Sequence, residues 1–269
     1  VSGPETGFPV ETLEQVEAEA WTDVYASASA DVAVRLAIGV ERVGDATVTV
    51  AAGVDILAYN RVLGLGRSGA DPAEALDRAV DIYRRAGAAR AFLAVAPDAG
   101  PAVTQRLHER GFALHNRWVK LARTVRPAPH VSTDLEVREI GPGEEARSFG
   151  GIFAAAFEHP SRLAPWVAGV VGRPGWHHYL AFDGPRPVAT SAMLVSGDAA
   201  WIDFAATLPD ARGRGAQSAL LARRLEDAAR LGVRTLVVEA GEGSASLRNL
   251  RRAGFEVAYE RPNWLLVLD

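Results

Sequence analysis

Apolar residues in the second half of the chain fall into blocks whose period switches from helical to strand-like and back. Ala146, Phe149, Phe153 and Phe157 recur at three- and four-residue intervals, which predicts an amphipathic helix over 144–157. A second helical stretch is expected over 163–171, stopped by Gly172-Arg173-Pro174-Gly175. Three strands follow at 178–182, 188–196 and 200–207, joined by Asp183-Gly184 and Gly197-Asp198, dipeptides suited to hairpin turns. The loop from Pro209 to Gln217 then opens a helix that runs to about Leu231, with Leu221, Leu225, Ala228 and Leu231 on its apolar face. A strand at 234–239, a short helix closing on Gly254-Phe255 and a last strand complete the half.

The first half echoes this ending. A helical pattern over Ala75–Tyr83 leads to a strand at Arg90–Val95, a short helix closing on Gly111-Phe112, and a strand carrying Arg117-Trp118. Arg90 and Arg234 are 144 residues apart, and Gly111 and Gly254 are 143 apart. Helix, strand, helix and strand in one order at one offset imply two copies of a single α/β plan. The proline-rich segment Arg126-Pro127-Ala128-Pro129-His130 reads as a semi-extended linker. The expected domains are therefore 1–126 and 133–269.

Composition narrows the class. With 48% hydrophobic and 23% charged residues, both halves can form folded cores. The net charge is −4 with no block of like charge, so neither nucleic acid nor an anionic membrane is an expected partner. Zero cysteines exclude disulfides, thiolate metal sites and a cysteine nucleophile. Val1-Ser2-Gly3-Pro4 does not look like a signal peptide and no apolar run reaches about 20 residues, so a cytoplasmic location is expected.

The loop Arg212-Gly213-Arg214-Gly215-Ala216-Gln217 is the strongest chemical signal. The start of a helix leaves up to four N–H groups unpaired and carries partial positive charge, so it suits a phosphate. Glycines let a diphosphate approach the backbone, and Arg212 and Arg214 can add charge. The plain alternative is a tight strand-to-helix turn. Gly64-Leu65-Gly66-Arg67-Ser68-Gly69 is a second glycine loop, but Asp71-Pro72-Ala73-Glu74 caps its helix with carboxylates and marks a structural turn. His177 and His178 are adjacent on a strand, face opposite ways and cannot ligate one metal ion.

Residues 206–209 followed by Arg212-Gly213-Arg214-Gly215 resemble the acyl-CoA signature of the GNAT superfamily of N-acetyltransferases. The resemblance covers nearly all of 133–269 and, more faintly, the first half. It implies two tandem GNAT-like domains, each a mixed, largely antiparallel sheet flanked by helices, the first degenerate and the second catalytic. It further implies acetyl-CoA as cosubstrate and a small-molecule or peptide amine as acceptor, which attacks the thioester directly. Ala205, Ala206, Thr207, Arg212, Gly213, Arg214, Gly215, Ala216, Gln217 and Ser244 would bind the cofactor. Glu239 or Asp203 would take the amine proton, and Tyr259 or water would protonate the thiolate. Gln217 stands at a small-residue position of the signature, Leu250 where many members have a tyrosine, and Ser244 near a frequent asparagine. Leu250 and the missing asparagine keep open a non-catalytic acyl-CoA sensor or interaction module, and the self-capped first glycine loop keeps open a first half that recognises the acceptor.

Overall fold

The computed structural model describes residues 7–66 and 72–268. The chain divides into two compact units: Val1–Leu121 with Glu239–Leu247 and Val257–Asp269, and Ala122–Val238 with Arg248–Glu256. The sequence places 239–247 and 257–269 in the second domain; in the structure they lie in the first unit. The linker also differs from a free tether. Arg123 donates to Pro127 O at 2.9 Å and Arg126 to Gly254 O at 2.7 Å, which holds the segment within the second unit.

In the first unit, α1 (Val10–Ala26) and α2 (Ala30–Leu36) precede a hairpin of β1 (Ile38–Val43) and β2 (Ala46–Ala51). Next come β3 (Arg61–Leu63), α3 (Pro72–Ala86), β4 (Arg90–Ala94), α4 (Gly100–Glu109) and β5 (Ala113–Thr124). Residues Arg67–Asp71, including the expected aspartate cap of α3, lie outside the described residues, while Pro72 does open the helix. β3 and β4 pair in parallel around α3. The core joins Val48 and Val50 to Leu76, Val80 and Tyr83 of α3 and to Leu93. The neighbour of β4 is the last strand of the chain, β11 (Glu256–Val267), with Trp264 opposite Leu93.

The second unit starts with β6 (Glu136–Ile140), α5 (Glu144–Ala156) and the short α6 (Ala164–Ala168). An antiparallel meander of β7 (Trp176–Asp183), β8 (Arg186–Ser196) and β9 (Ala199–Thr207) follows. α7 (Ala216–Arg230) leads to β10 (Thr235–Gly241), which runs parallel to β9, and then to α8 (Ala245–Arg252). One face of the meander packs Tyr179, Ala181, Val188 and Ala189 against Ala216 and Leu220 of α7. The other face meets α5, where Phe149 and Phe153 contact Phe204 with ring centroids 5.9 and 5.2 Å apart. No helix of the described residues is long and apolar enough to cross a membrane.

Two adjacent glycines in α5 separate packing from propensity. A Cβ on Gly150 would overlap Ala164 O and stand 3.1 Å from Ala168 N, so this glycine lets α6 lie against α5. A Cβ on Gly151 meets nothing within 4 Å. Gly150→Ala should therefore cost about 1–3 kcal/mol through overpacking, whereas Gly151→Ala should gain about 0.5–1 kcal/mol through helix propensity. Urea denaturation of both variants checks the pair, and equal effects would contradict it.

Candidate functional site

The candidate site is built where β9 runs out of partners. Parallel pairing with β10 extends only over Ala199–Trp201 and Thr235–Val237. From Ile202 to Thr207, β9 is bonded on its β8 side alone among the described residues. In this stretch Phe204 and Ala205 oppose the single residue Ser191, a β-bulge. Phe204 has φ +54°, Ala205 is exposed, and Ala206 is buried. Among the described residues Ala205–Thr207 thus have no second strand beside them, and side chains of Gln217 and Arg212 take the Ala206 and Thr207 carbonyls.

The following loop brings the start of α7 beside that stretch. Gly213 and Gly215 adopt φ +81° and +82°, which only glycine enters without strain. Gly215 is the N-cap residue, and no side chain caps α7. The first-turn amides of α7 are thus left available, as the sequence implies.

The two arginines expected to add charge have other work. Arg214 binds both oxygens of Asp183, at 2.6 and 3.1 Å, and Asp134 at 2.5 Å. Hydrogen bonds to these carboxylates raise its pKa further, and the pairs leave its guanidinium committed. Arg212 donates to Thr207 O at 3.3 Å and Ala156 O at 3.2 Å, tying the loop to the ends of β9 and α5. Gln217 donates to Ala206 O at 2.8 Å and to Thr207 Oγ1 at 3.0 Å, so the amide fastens α7 to the sheet. The buried Ala216 packs into the core.

A cavity of about 310 Å³ opens at this helix start, between the first two turns of α7, the segment 129–132 and the α8 residues Asn249 and Arg252. Its lining contains no carboxylate and includes His130, Ser218 and Arg252. Sequence reading missed Arg252 and His130; the basic end of α8 was the available signal. The first unit has a cavity of about 760 Å³ at the start of α3, with the opposite lining: Glu41, Asp45, Glu74, Asp77 and Asp81 against Arg42 and Arg78.

Of the acid–base candidates, only Asp203 belongs to the second unit. Its Oδ1 accepts from Phe204 N at 2.6 Å and its Oδ2 from Trp201 Nε1 at 3.0 Å. Glu239 sits in the first unit, in a buried group of three carboxylates and three cations. Arg61 reaches it at 2.7 Å and Arg261 binds its other oxygen. Glu17 in turn accepts from Lys120 at 2.5 Å and from Arg261 at 2.9 Å. Burial alone would raise the Glu17 carboxyl, but Arg261, Lys120 and Arg61 outweigh it and hold the group well below the usual carboxylate range.

Each Glu239 oxygen is held by a guanidinium in the first unit, so this geometry ties the carboxylate to Arg61 and Arg261. Tyr259 donates to Glu14 at 2.5 Å. Burial, then the charge of Glu14, raises its phenol above the ordinary tyrosine range and makes it a weaker acid for a thiolate. Ser244 accepts from Leu247 N at 3.0 Å, the N-cap bond of α8. One lone pair of its hydroxyl therefore serves the helix.

The two histidines do face opposite ways. His177 reaches Glu139 at 2.7 Å. His178 is buried between Trp176 and Phe149, with ring centroids at 5.5 and 5.1 Å, and neither ring nitrogen has a protein partner. The strand that carries them is an interior one, flanked by β6 and β8.

Residues 145–255 match the acetyltransferase (GNAT) family. No curated protein matches the chain by sequence. Among solved structures, a GCN5-related N-acetyltransferase from Kribbella flavida is similar, with TM-score 0.64 and 16% identity over 94% of each chain. Another GCN5-related N-acetyltransferase, from Sphaerobacter thermophilus, gives 0.62 and 17% over 97% of this chain and 93% of that one. A tandem GNAT protein from the clavulanic acid biosynthesis pathway gives 0.61 and 16% over 96% and 95%. At these identities the likeness is one of fold, and it extends through both halves of the chain.

Burial, with a smaller contribution from His177, lowers the His178 pKa to about 3. In the unfolded chain the imidazole titrates near its ordinary value of about 6.5, so acid protonates the unfolded state first. Stability should fall as pH drops from about 6.5 toward 3, by up to about 1.4 kcal/mol per pH unit. His178→Phe should remove that slope. Denaturant titrations of both proteins at a series of pH values check this, and parallel pH profiles would contradict it.

Proposed function

We propose that the chain is an acyl-CoA-dependent N-acyltransferase, a reading supported by the match of residues 145–255 to the acetyltransferase (GNAT) family. Its donor is acetyl-CoA and its acceptor a primary amine of a small molecule or peptide. The carboxylate-free cavity at the uncapped start of α7 carries this reading. Main-chain donors from Gly213 to Ser218 would hold the diphosphate, with Arg252 and His130 adding positive charge at the cavity wall. Hydrogen bonds to such a charged group contribute roughly 1.5–3 kcal/mol each.

The stretch Ala205–Thr207, which has no second strand beside it among the described residues, precedes this loop and would bind the pantetheine amides through the main-chain groups that Gln217 and Arg212 leave open. A main-chain N–H there would stabilise the charge that develops on the thioester oxygen. The cosubstrate supplies the acyl carbon: the amine nitrogen bonds to it, the carbon–sulfur bond breaks, and the amine's proton leaves through solvent while the sulfur gains one. The first unit's cavity, with five carboxylates against two arginines, is unsuited to a diphosphate.

A second reading, an acyl-CoA sensor without turnover, draws on Leu250, which is buried where many family members place a tyrosine. It is separated by activity: the enzyme releases CoA thiol with an amine panel and the sensor does not.

Calorimetry should show one acetyl-CoA bound per chain. Gly215→Val should weaken that binding about tenfold or more, equivalent to about 1.4 kcal/mol, because β-branched side chains are strained at φ +82° and crowd the loop. Arg42→Ala, in the first unit's cavity, should leave it unchanged. Absence of binding to the wild-type protein would contradict the function proposed.

A further inference from the structure

The bulge in β9 places a bulky residue in a conformation it resists. Phe204 at φ +54° is in the left-handed region, where the Cβ of an L-residue crowds the following carbonyl oxygen. Such backbone persists only where its surroundings over-determine it. At Phe204 three restraints converge. Its N–H donates to Asp203 Oδ1 at 2.6 Å, and its carbonyl accepts from the buried Thr190 Oγ1 at 2.7 Å. Its ring is enclosed by Phe149, Phe153 and Trp176 at 5.9, 5.2 and 6.0 Å. Trp201 Nε1, at 3.0 Å from Oδ2, fixes the Asp203 carboxylate from the other side.

We infer that Asp203 and Thr190 are positioning residues. Together they clamp the main chain of Phe204 and so turn the exposed backbone of Ala205 toward the unpartnered edge of β9. Asp203 then acts through the backbone and not as the amine's base. Each of its oxygens already accepts a hydrogen bond, and one of those bonds goes to the residue that the bulge must hold. Thr190 lies across the ladder, opposite Ala206, and secures the carbonyl on the other side of the same residue, so the peptide units before and after Phe204 are both held. The catalytic part of this inference rests on the cofactor reading above; the backbone part does not.

Asp203→Asn keeps an oxygen acceptor for Phe204 N–H, whereas Asp203→Ala removes it; Thr190→Ser and Thr190→Val form the matching pair. Crystal structures of the four variants without ligand read the bulge directly. Phe204 should stay near +54° in the Asn and Ser variants and leave the left-handed region in the Ala and Val variants. Steady-state rates with acetyl-CoA and an amine should follow the same division. The Asn and Ser variants should keep the wild-type pH profile, and kcat should fall roughly a hundredfold in the others, the loss typical of an oxyanion donor moved out of place.

An unchanged bulge in both Asp203→Ala and Thr190→Val would overturn the inference whatever the rates. So would an Asp203→Asn enzyme with an intact bulge, no turnover and an altered pH limb, because that pattern belongs to a general base. A wild-type protein that binds no acetyl-CoA would count against the proposed function, while the ligand-free structures would still decide the clamp. If Asp203→Ala does not fold, the Thr190 pair gives the same two readings.

Discussion

Backbone N–H and C=O groups need hydrogen-bond partners, and β9 loses its supply on one side after Trp201. Beyond that point, among the described residues, the strand keeps β8 and has no second strand beside it. The helix that follows begins with amides that no side chain caps. These two facts bring a strand stretch with no second strand partner close to the uncapped amides of α7, although side chains already take the Ala206 and Thr207 carbonyls. The rest of the second unit holds both in place. Arg212 and Gln217 bind the loop and helix to the sheet, Arg214 anchors through two aspartates, and the aromatic cluster under α5 supports the bulge.

The two halves share a plan and differ in its electrostatics. Each crosses from one parallel strand to the next through a helix. At the start of α7 the cavity has no carboxylate, whereas Glu74 lines the cavity at the start of α3 together with four other acids. The first unit also fills its interior with a fully paired charge group of Glu14, Glu17, Glu239, Arg61, Lys120 and Arg261. Removing one member would leave an unbalanced buried charge, so the group resists change more than it invites a ligand. Within that group Glu239 gives one oxygen to Arg61 and the other to Arg261.

Period and turn chemistry made most of the second unit legible. Observed bounds of α5 and of β7–β9 fall within two residues of those expected, because their apolar faces are unbroken and their turns carry glycine. α1 was harder to read, since the charged Glu14 and Glu17 lie among its buried residues and interrupt the apolar stripe. The place of β11 beside β4 was hidden for a different reason: local pattern specifies a strand but not its partner. The glycine loop was readable through its backbone, but its side chains were not. Arg214 meets Asp134 and Asp183 only after folding brings distant segments together, and no spacing rule anticipates that pair. Phe204 likewise gave no sign of its left-handed turn, because a phenylalanine inside an apolar strand pattern predicts ordinary extended backbone.

The central claim is that bare main-chain donors at Gly213–Ser218 grip the diphosphate of a coenzyme. A crystal structure of the protein soaked with acetyl-CoA tests it most directly. A single cofactor is expected in the second unit, its phosphates within hydrogen-bonding distance of those amides and its pantetheine arm alongside Ala205–Thr207. Density for the cofactor in the carboxylate-lined cavity of the first unit, with the α7 groove left empty, would contradict it.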